Sequence, residues 1–215
     1  IYNMGFFSKL FGKKSKTEIG SQPIEYTQAL TFNKEFSDIM KSDKFIARSD
    51  YRNLIQKYEF TATFFENNQR AKTLTYYCKQ NKVGEKEIND FLVSYNNIKN
   101  LTKGSSIVAS HNEQYIQKHL LSEKNYLDGI LKEIDSKILL DEEQRRVVLS
   151  DEDYSLVIAG AGAGKTTTVA AKVRYLVEKK HIDPKQILVI SFTNKAVGEL
   201  KERINEGLLI PCPIT

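Results

Sequence analysis

Apolar residues along this chain follow two different patterns, which change over near residue 154. Between about residues 30 and 136 they recur three or four positions apart, the spacing that gathers side chains on one face of an α-helix. The clearest set is Ile88, Phe91, Leu92, Tyr95 and Ile98. The pattern predicts a mostly helical region over residues 23–136, in which the aromatic residues pack in the core.

Two local signals divide this helical region. Lys103-Gly104-Ser105-Ser106 combines small and flexible residues, and it predicts a break between two helices. Ser110 and Glu113 have the three-residue separation of a capping box, so they predict that a helix begins there.

The second pattern consists of apolar runs without alternation. Residues 154–159 and 187–191 form two such runs, as expected for strands that are buried on both faces of a parallel sheet. Between them a helix is expected from about residue 165 to 180, because its apolar residues share one face. A strand, a helix and a second strand of these lengths make a βαβ unit, so the predicted fold class is α/β with a parallel sheet.

Composition narrows the class of protein. With 40% hydrophobic and 27% charged residues a globular protein is expected, and no apolar run approaches the roughly 20 residues of a membrane span. Cys78 and Cys212 provide neither a disulfide framework nor metal-ligand spacing, which favours a reduced, cytoplasmic setting. The net charge of +5 is concentrated in residues 1–22, expected to be a flexible basic tail, and in residues 159–215. The slightly acidic middle argues against a basic nucleic-acid-binding domain there.

The strongest motif lies where the first predicted strand meets the helix. It is Ala159-Gly160-Ala161-Gly162-Ala163-Gly164-Lys165-Thr166, in the strand–loop–helix context of a phosphate-binding P-loop. Its small residues let the chain curl around phosphate oxygens, to which the amides from Ala161 to Thr166 are expected to donate. Lys165 is expected to bridge the β- and γ-phosphates of ATP, and the Thr166 hydroxyl to bind Mg²⁺. A purely structural glycine-rich turn is the alternative, and it leaves the Gly-Lys-Thr sequence at the helix start unexplained.

A glutamine upstream of the loop offers a way to recognise the base of the nucleotide. The amide of Gln144 has a donor beside an acceptor, which matches N7 and N6 of adenine. Taken alone, such a glutamine is usually solvated. Residues 138–142 resemble a Walker B strand, but they precede the P-loop, and Asp141 with Gln144 has the pattern of a helix start.

A third polar segment follows the second predicted strand. Phe192, Thr193 and Asn194 come directly after residues 187–191, at the edge of a parallel sheet where ligands collect. An aromatic ring beside hydroxyl and amide groups suits single-stranded nucleic acid, because the ring stacks on a base and the polar groups hold phosphate. Without context, the same residues read as a strand end followed by a helix cap.

Together these three segments resemble a family. A glutamine motif, the P-loop AGAGAGKT and the segment SFTNKA, in this order, are similar to superfamily 1 DNA helicases of the UvrD/Rep type. The runs HNEQYIQKHL and LDEEQRRVV look closest to the helicase IV branch of that family. The resemblance covers about residues 110–215 and implies that residues 137–215 form part of a RecA-like ATP-binding domain.

The resemblance also implies roles for single residues. Gln144 would contact adenine, Lys165 and Thr166 would serve the phosphates and Mg²⁺, and Phe192 with Thr193 and Asn194 would grip single-stranded DNA. The partners of the parent protein would be single-stranded DNA and DNA duplex junctions. Ala163 stands where the family usually has Ser, and Thr167, on the adenine side, stands where it often has Arg.

The family's remaining catalytic parts are not found among the 215 residues. Family members continue with a Walker B acidic pair and a second RecA-like domain that supplies arginines to the γ-phosphate. The chain is therefore expected to be the N-terminal part of a helicase and to be inactive by itself, because hydrolysis needs water activation and charge stabilisation. Two alternatives remain open: another P-loop ATPase or nuclease-helicase subunit, and a non-enzymatic nucleotide-binding or interaction module.

Overall fold

The computed structural model describes residues 22–100 and 107–215, and these residues are predominantly helical. The predicted basic tail, apart from its last residue, and the predicted break at Lys103–Ser106 lie outside the described residues. The α-helices are α1 (Ile24–Lys41), α2 (Arg48–Arg70), α3 (Leu74–Asn81), α4 (Glu85–Lys99), α5 (Ile107–Ser122), α6 (Lys124–Asp128), α7 (Glu142–Leu149), α8 (Lys165–Glu178) and α9 (Asn194–Lys201). A short 3₁₀ turn covers Pro184–Gln186, and a π-helical stretch covers Glu202–Gly207.

The chain divides into two compact units. The first holds the described residues up to Phe36 together with Gln56–Asn96, and we call it the aromatic unit. The second holds Ser37–Ile55 together with the described residues from Asn97 onward, and we call it the loop unit because it contains the P-loop.

The aromatic unit is organised around the ring of Phe32, which is fully buried. Phe91 and Tyr58 meet this ring edge-on, with centroids 5.0 and 5.3 Å away, and Phe36 stacks on it at 5.8 Å. Such edge-to-face and offset contacts add to the burial of the rings themselves. Phe91, one of the residues whose helical spacing predicted a packed core, is fully buried there.

The core of the loop unit lies mainly between α7 and α8. Val148 and Leu149 on α7 are fully buried, as are Ala170 and Ala171 on α8. Ile204, from the π-helical stretch, is buried in the same cluster. The alanines let the two helices approach closely, so the core of this unit supports the N-terminus of α8, where the P-loop ends.

The predicted parallel sheet is wrong for the residues that the structure describes. No strand forms in them, and strand-like pairing is confined to an isolated parallel bridge between Val189 and Ile214. There Val189 N donates to the carbonyl of Pro213 at 3.0 Å. Residues 154–159 do not pair with 187–191, and Ile158 is 90% exposed. An apolar run indicates the tendency to form a strand, but a sheet also needs a neighbouring strand for each row of backbone groups.

Residues from the α1–α2 connection are held by two distant parts of the loop unit. The Asn112 side chain accepts from Ile46 N at 2.8 Å and donates to its carbonyl at 2.9 Å. At the start of α2, Arg48 N donates to Glu152 at 2.8 Å and Ser49 N donates to Asp153 at 2.6 Å. The two carboxylates thus satisfy amides that the helix itself cannot pair.

The capping box predicted at Ser110 is wrong, because this residue lies inside α5. None of the helices in the described residues combines the length and apolar character of a membrane span.

Candidate functional site

The P-loop takes up a glycine-dependent backbone conformation before α8. Gly162 and Gly164 have φ values of +77° and +74°, a region that other residues adopt only with strain. A Cβ on Gly164 would also lie 2.6 Å from Nε2 of Gln144, so the end of that side chain would have to shift, whereas the positive φ itself favours glycine. The first N–H groups of α8, which begins at Lys165, have no acceptor within the helix and can bind an anion.

The two polar residues of the motif stand at the first turn of α8. The exposed Lys165 side chain donates from Nζ to the carbonyls of Ala159 and Gly160, at 3.1 and 2.6 Å. Its ammonium group therefore lies over the loop whose amides would hold phosphate. Thr166 follows it and is half-buried. Thr167 accepts a long hydrogen bond, 3.5 Å, from Nη1 of Arg203.

Gln144 is placed beside the loop by the start of α7. Asp141 and Gln144 form a reciprocal capping box, in which Asp141 Oδ1 accepts from Gln144 N at 2.8 Å and Gln144 Oε1 accepts from Asp141 N at 3.0 Å. Nε2 of Gln144 donates to the carbonyl of Ala163 at 3.2 Å. These contacts use one acceptor position of the amide oxygen and one of its two N–H groups. The predicted helix start is confirmed, and Gln144 and the P-loop are in direct contact.

A cavity of about 710 Å³ opens beside this contact. Gln144 and Lys165 line it on the side of the loop, and Leu188 and Ile190 contribute apolar wall. Sites for small molecules commonly combine such apolar walls with a few convergent polar groups. The volume of the cavity is large enough for a nucleotide-sized ligand.

Lys172 is a functional candidate that the sequence did not reveal. It lines the same cavity from α8, and its Nζ donates to the carbonyls of Val148 and Ser150. Burial lowers the pKa of its ammonium group to about 8. One feature of the sequence could have pointed to Lys172. It comes three residues after Val169, next to the apolar face of the predicted helix.

The three candidate DNA residues follow the wall of the cavity. Phe192 is completely exposed, at 108% of its reference area, so its ring is not packed against the body of the loop unit. Thr193 caps α9, since its Oγ1 accepts from Ala196 N at 3.2 Å, and Asn194 is the first residue of that helix. The structure thus places all three residues next to the 187–190 wall.

A magnesium ion fits the loop only in combination with phosphate. Among the described residues there is no group of three or more His, Cys, Asp or Glu side chains that could hold a metal ion. Thr166 offers a hard oxygen at the start of α8, of the kind that Mg²⁺ accepts together with phosphate oxygens and water.

Comparison with known proteins decides which family this arrangement comes from. A family profile described as the UvrD/REP helicase N-terminal domain matches residues 140–212, which hold all three motifs. Residues 140–212 thus match the N-terminal domain of UvrD/REP helicases. The prediction from the motifs is thereby confirmed at the level of the family.

The UvrD/REP segment has relatives in bacteria and yeast. The chain is 48% identical over 66 residues to a probable DNA helicase II homologue of Mycoplasma capricolum and 40% identical over 67 residues to the ATP-dependent DNA helicase PcrA of Staphylococcus aureus. It is also 46% identical over 65 residues to the ATP-dependent DNA helicase srs2 of Schizosaccharomyces pombe. These matches cover 30–31% of this chain but only 7–9% of each relative. No solved structure matches the chain.

Proposed function

We propose that this chain is the ATP-binding part of an ATP-dependent DNA helicase that translocates on single-stranded DNA and unwinds duplexes. The observation that carries the proposal is the contact between the glutamine motif and the P-loop within a UvrD/REP segment. Gln144 donates to the carbonyl of Ala163, directly before the helix that presents Lys165 and Thr166. A site for the base and a site for the phosphates are therefore joined.

The proposed roles follow from the chemistry of each group. The amides from Ala161 to Thr166 and the ammonium of Lys165 bind the phosphates, because they gather donors and positive charge at a helix N-terminus. The Thr166 hydroxyl ligates Mg²⁺, which the phosphate oxygens also bind. Gln144 still has one N–H and one lone pair to offer, and this pair matches the edge of adenine. Thr167 lies beside these groups on the side of the base.

The relatives' printed names include ATP-dependent DNA helicases, and that supports DNA as the partner of this chain. Phe192, Thr193 and Asn194 form the proposed contact with single-stranded DNA, since they adjoin the wall of the nucleotide cavity. A shift of the wall on nucleotide binding would move the ring of Phe192 through a short covalent connection.

Titration of the full chain with Mg·ATP and Mg·GTP tests the nucleotide site. We expect ATP to bind more tightly than GTP, and Lys165→Ala to weaken ATP binding by about 1.5–3 kcal/mol, the range for a charge-assisted hydrogen bond. Lys185→Ala, which removes an exposed lysine outside the cavity, is the matched control and should leave the affinity unchanged. A folded chain that binds neither nucleotide would contradict the proposal.

A further inference from the structure

Hydrogen bonds hold both ends of α7, the helix that carries Gln144. Its start is bonded to the P-loop and its end to α8. At its start, Gln144 Nε2 donates to the carbonyl of Ala163 at 3.2 Å. At its end, Lys172 Nζ donates to the carbonyls of Val148 at 2.8 Å and Ser150 at 2.5 Å. We propose that Lys172 is a positioning residue, which sets the place of Gln144 relative to the base of the bound nucleotide. This inference rests on the proposed nucleotide function.

The end of α7 is suited to a buried ammonium group. The last carbonyls of any helix lack partners within it, and the helix dipole adds partial negative charge at the same end. Lys172 satisfies two such carbonyls from the neighbouring helix, with three N–H groups available. At about 1.5 Å per residue, the rise from Gln144 to Ser150 is only about 9 Å, so a displacement of the anchored end reaches Gln144 directly.

Packing between the two helices involves small side chains on α8. Val148 and Leu149 of α7 are buried in the same cluster as Ala170 and Ala171 of α8. Alanine side chains present a nearly flat surface, which allows close approach but gives little resistance to sliding or pivoting. The polar anchors at the two ends of α7 therefore set its position along α8.

Burial makes this anchor sensitive to pH, and the neighbouring charges modify the effect. Burial lowers its pKa to about 8, Asp151 acts against this shift, and Lys180 acts in the same direction. Asp151 and Lys180 also form an ion pair with each other at 2.8 Å. The ring centroid of Tyr175 lies 5.5 Å from Nζ of Lys172. The other titratable groups that line the cavity are Asp141, Glu143 and Lys165.

Loss of this positive charge would not destabilise the fold through Lys172 itself. The folded protein binds this proton less tightly than the unfolded chain does, because the pKa is lowered on folding. This group's contribution to stability therefore rises with pH from about 8 upward. A decline in base selectivity over the same pH range would thus report on the anchor and not on unfolding through Lys172.

Competition of ATP and GTP against a fluorescent nucleotide, on the full chain, tests the inference. We expect Lys172→Met to reduce the preference for ATP over GTP by about five- to tenfold, the factor that one ordinary hydrogen bond supplies. Lys172→Arg, which keeps charge and multiple donors, should restore most of the preference. An unchanged preference in Lys172→Met would overturn the inference, and absence of any ATP binding in the parent chain would instead overturn the proposed function.

Arg174→Met is the matched control for loss of a basic side chain from α8. Arg174 donates to the carbonyl of Ile130 at 2.9 Å and pairs with Glu133 and Glu178, away from α7. We expect it to lower the melting temperature without changing base selectivity. Equal loss of selectivity in both variants would show that Lys172 acts only through general stability.

Two further measurements keep the test decisive. If Lys172 acts through Gln144, Lys172→Met should have almost no further effect on selectivity in a Gln144→Ala background, and additive effects would contradict this.

If Lys172→Met does not fold, the parent chain and Lys172→Arg are compared between about pH 7 and 8.5. Selectivity should decline with pH more in the parent, where the anchor loses its charge, than in the arginine variant. Identical pH profiles would refute the positioning role.

Discussion

The aromatic unit and the loop unit use apolar residues in different ways. In the aromatic unit the large rings face one another, and the exposed apolar residues, such as Phe60 on α2 and Val93 on α4, are single positions on helices. In the loop unit the exposed apolar residues are consecutive, as in Leu156 to Ile158, and they adjoin the glycine loop. Scattered exposure is normal in a globular protein, whereas clustered exposure beside a polar cavity is typical of interaction sites.

We therefore expect the buried rings to maintain the fold and the exposed apolar residues beside the cavity to contact ligands. The ring of Phe32 is buried against other rings of its own unit, so its loss should be seen in stability. Phe192 packs against nothing in its unit, so its loss should be seen in binding. The following experiments test that division, from the largest expected effect to the smallest.

Phe32→Ala should cost the most. The ring is fully buried among other rings, and removing such a side chain typically costs about 3–5 kcal/mol, measured as the free energy of unfolding in denaturant. Phe60→Ala is the control on an exposed ring, with an expected change within about 0.5 kcal/mol. Equal costs for the two substitutions would mean that the aromatic unit is not held together by its ring cluster.

Phe192→Ala should affect DNA and leave stability alone. If the exposed ring stacks on a base, its removal should weaken binding of a labelled single-stranded oligonucleotide by about 1–3 kcal/mol. ATP affinity without DNA and the melting temperature should stay nearly unchanged. Phe60→Ala again serves as control and should leave DNA binding intact. A large drop in melting temperature with no specific DNA defect would assign the ring to the fold.

Gly164→Ala and Gly198→Ala should have small effects of opposite sign. An alanine at position 164 must adopt a left-handed φ, at a cost of about 1–2 kcal/mol, and its Cβ would displace Nε2 of Gln144. Gly198 lies inside α9, and a Cβ added there would meet no atom within 4 Å, so alanine should stabilise the protein by up to about 1 kcal/mol. Thermal melts and ATP titrations of both variants check this, and tighter ATP binding by Gly164→Ala would be inconsistent with the loop geometry.

Short-range signals in the sequence predicted the local parts of this structure. The capping box of Asp141 and Gln144 and the helix after the P-loop depend on neighbours in sequence, and both were predicted. The parallel sheet depends on a partner strand at each edge, and the apolar runs could not show that Val189 pairs with Ile214 while residues 154–158 stay exposed. Lys172 was missed for a related reason, since its acceptors lie on another helix.

The carboxylates that cap the start of α2 affect when this helix can be completed during synthesis of the chain. Arg48 and Ser49 receive their partners from Glu152 and Asp153, which are 104 residues further along the chain. At a synthesis rate of about 5–20 residues per second, these amides are made roughly 5–20 s before their acceptors. The first turn of α2 is consequently completed only when the residues just ahead of the P-loop have emerged.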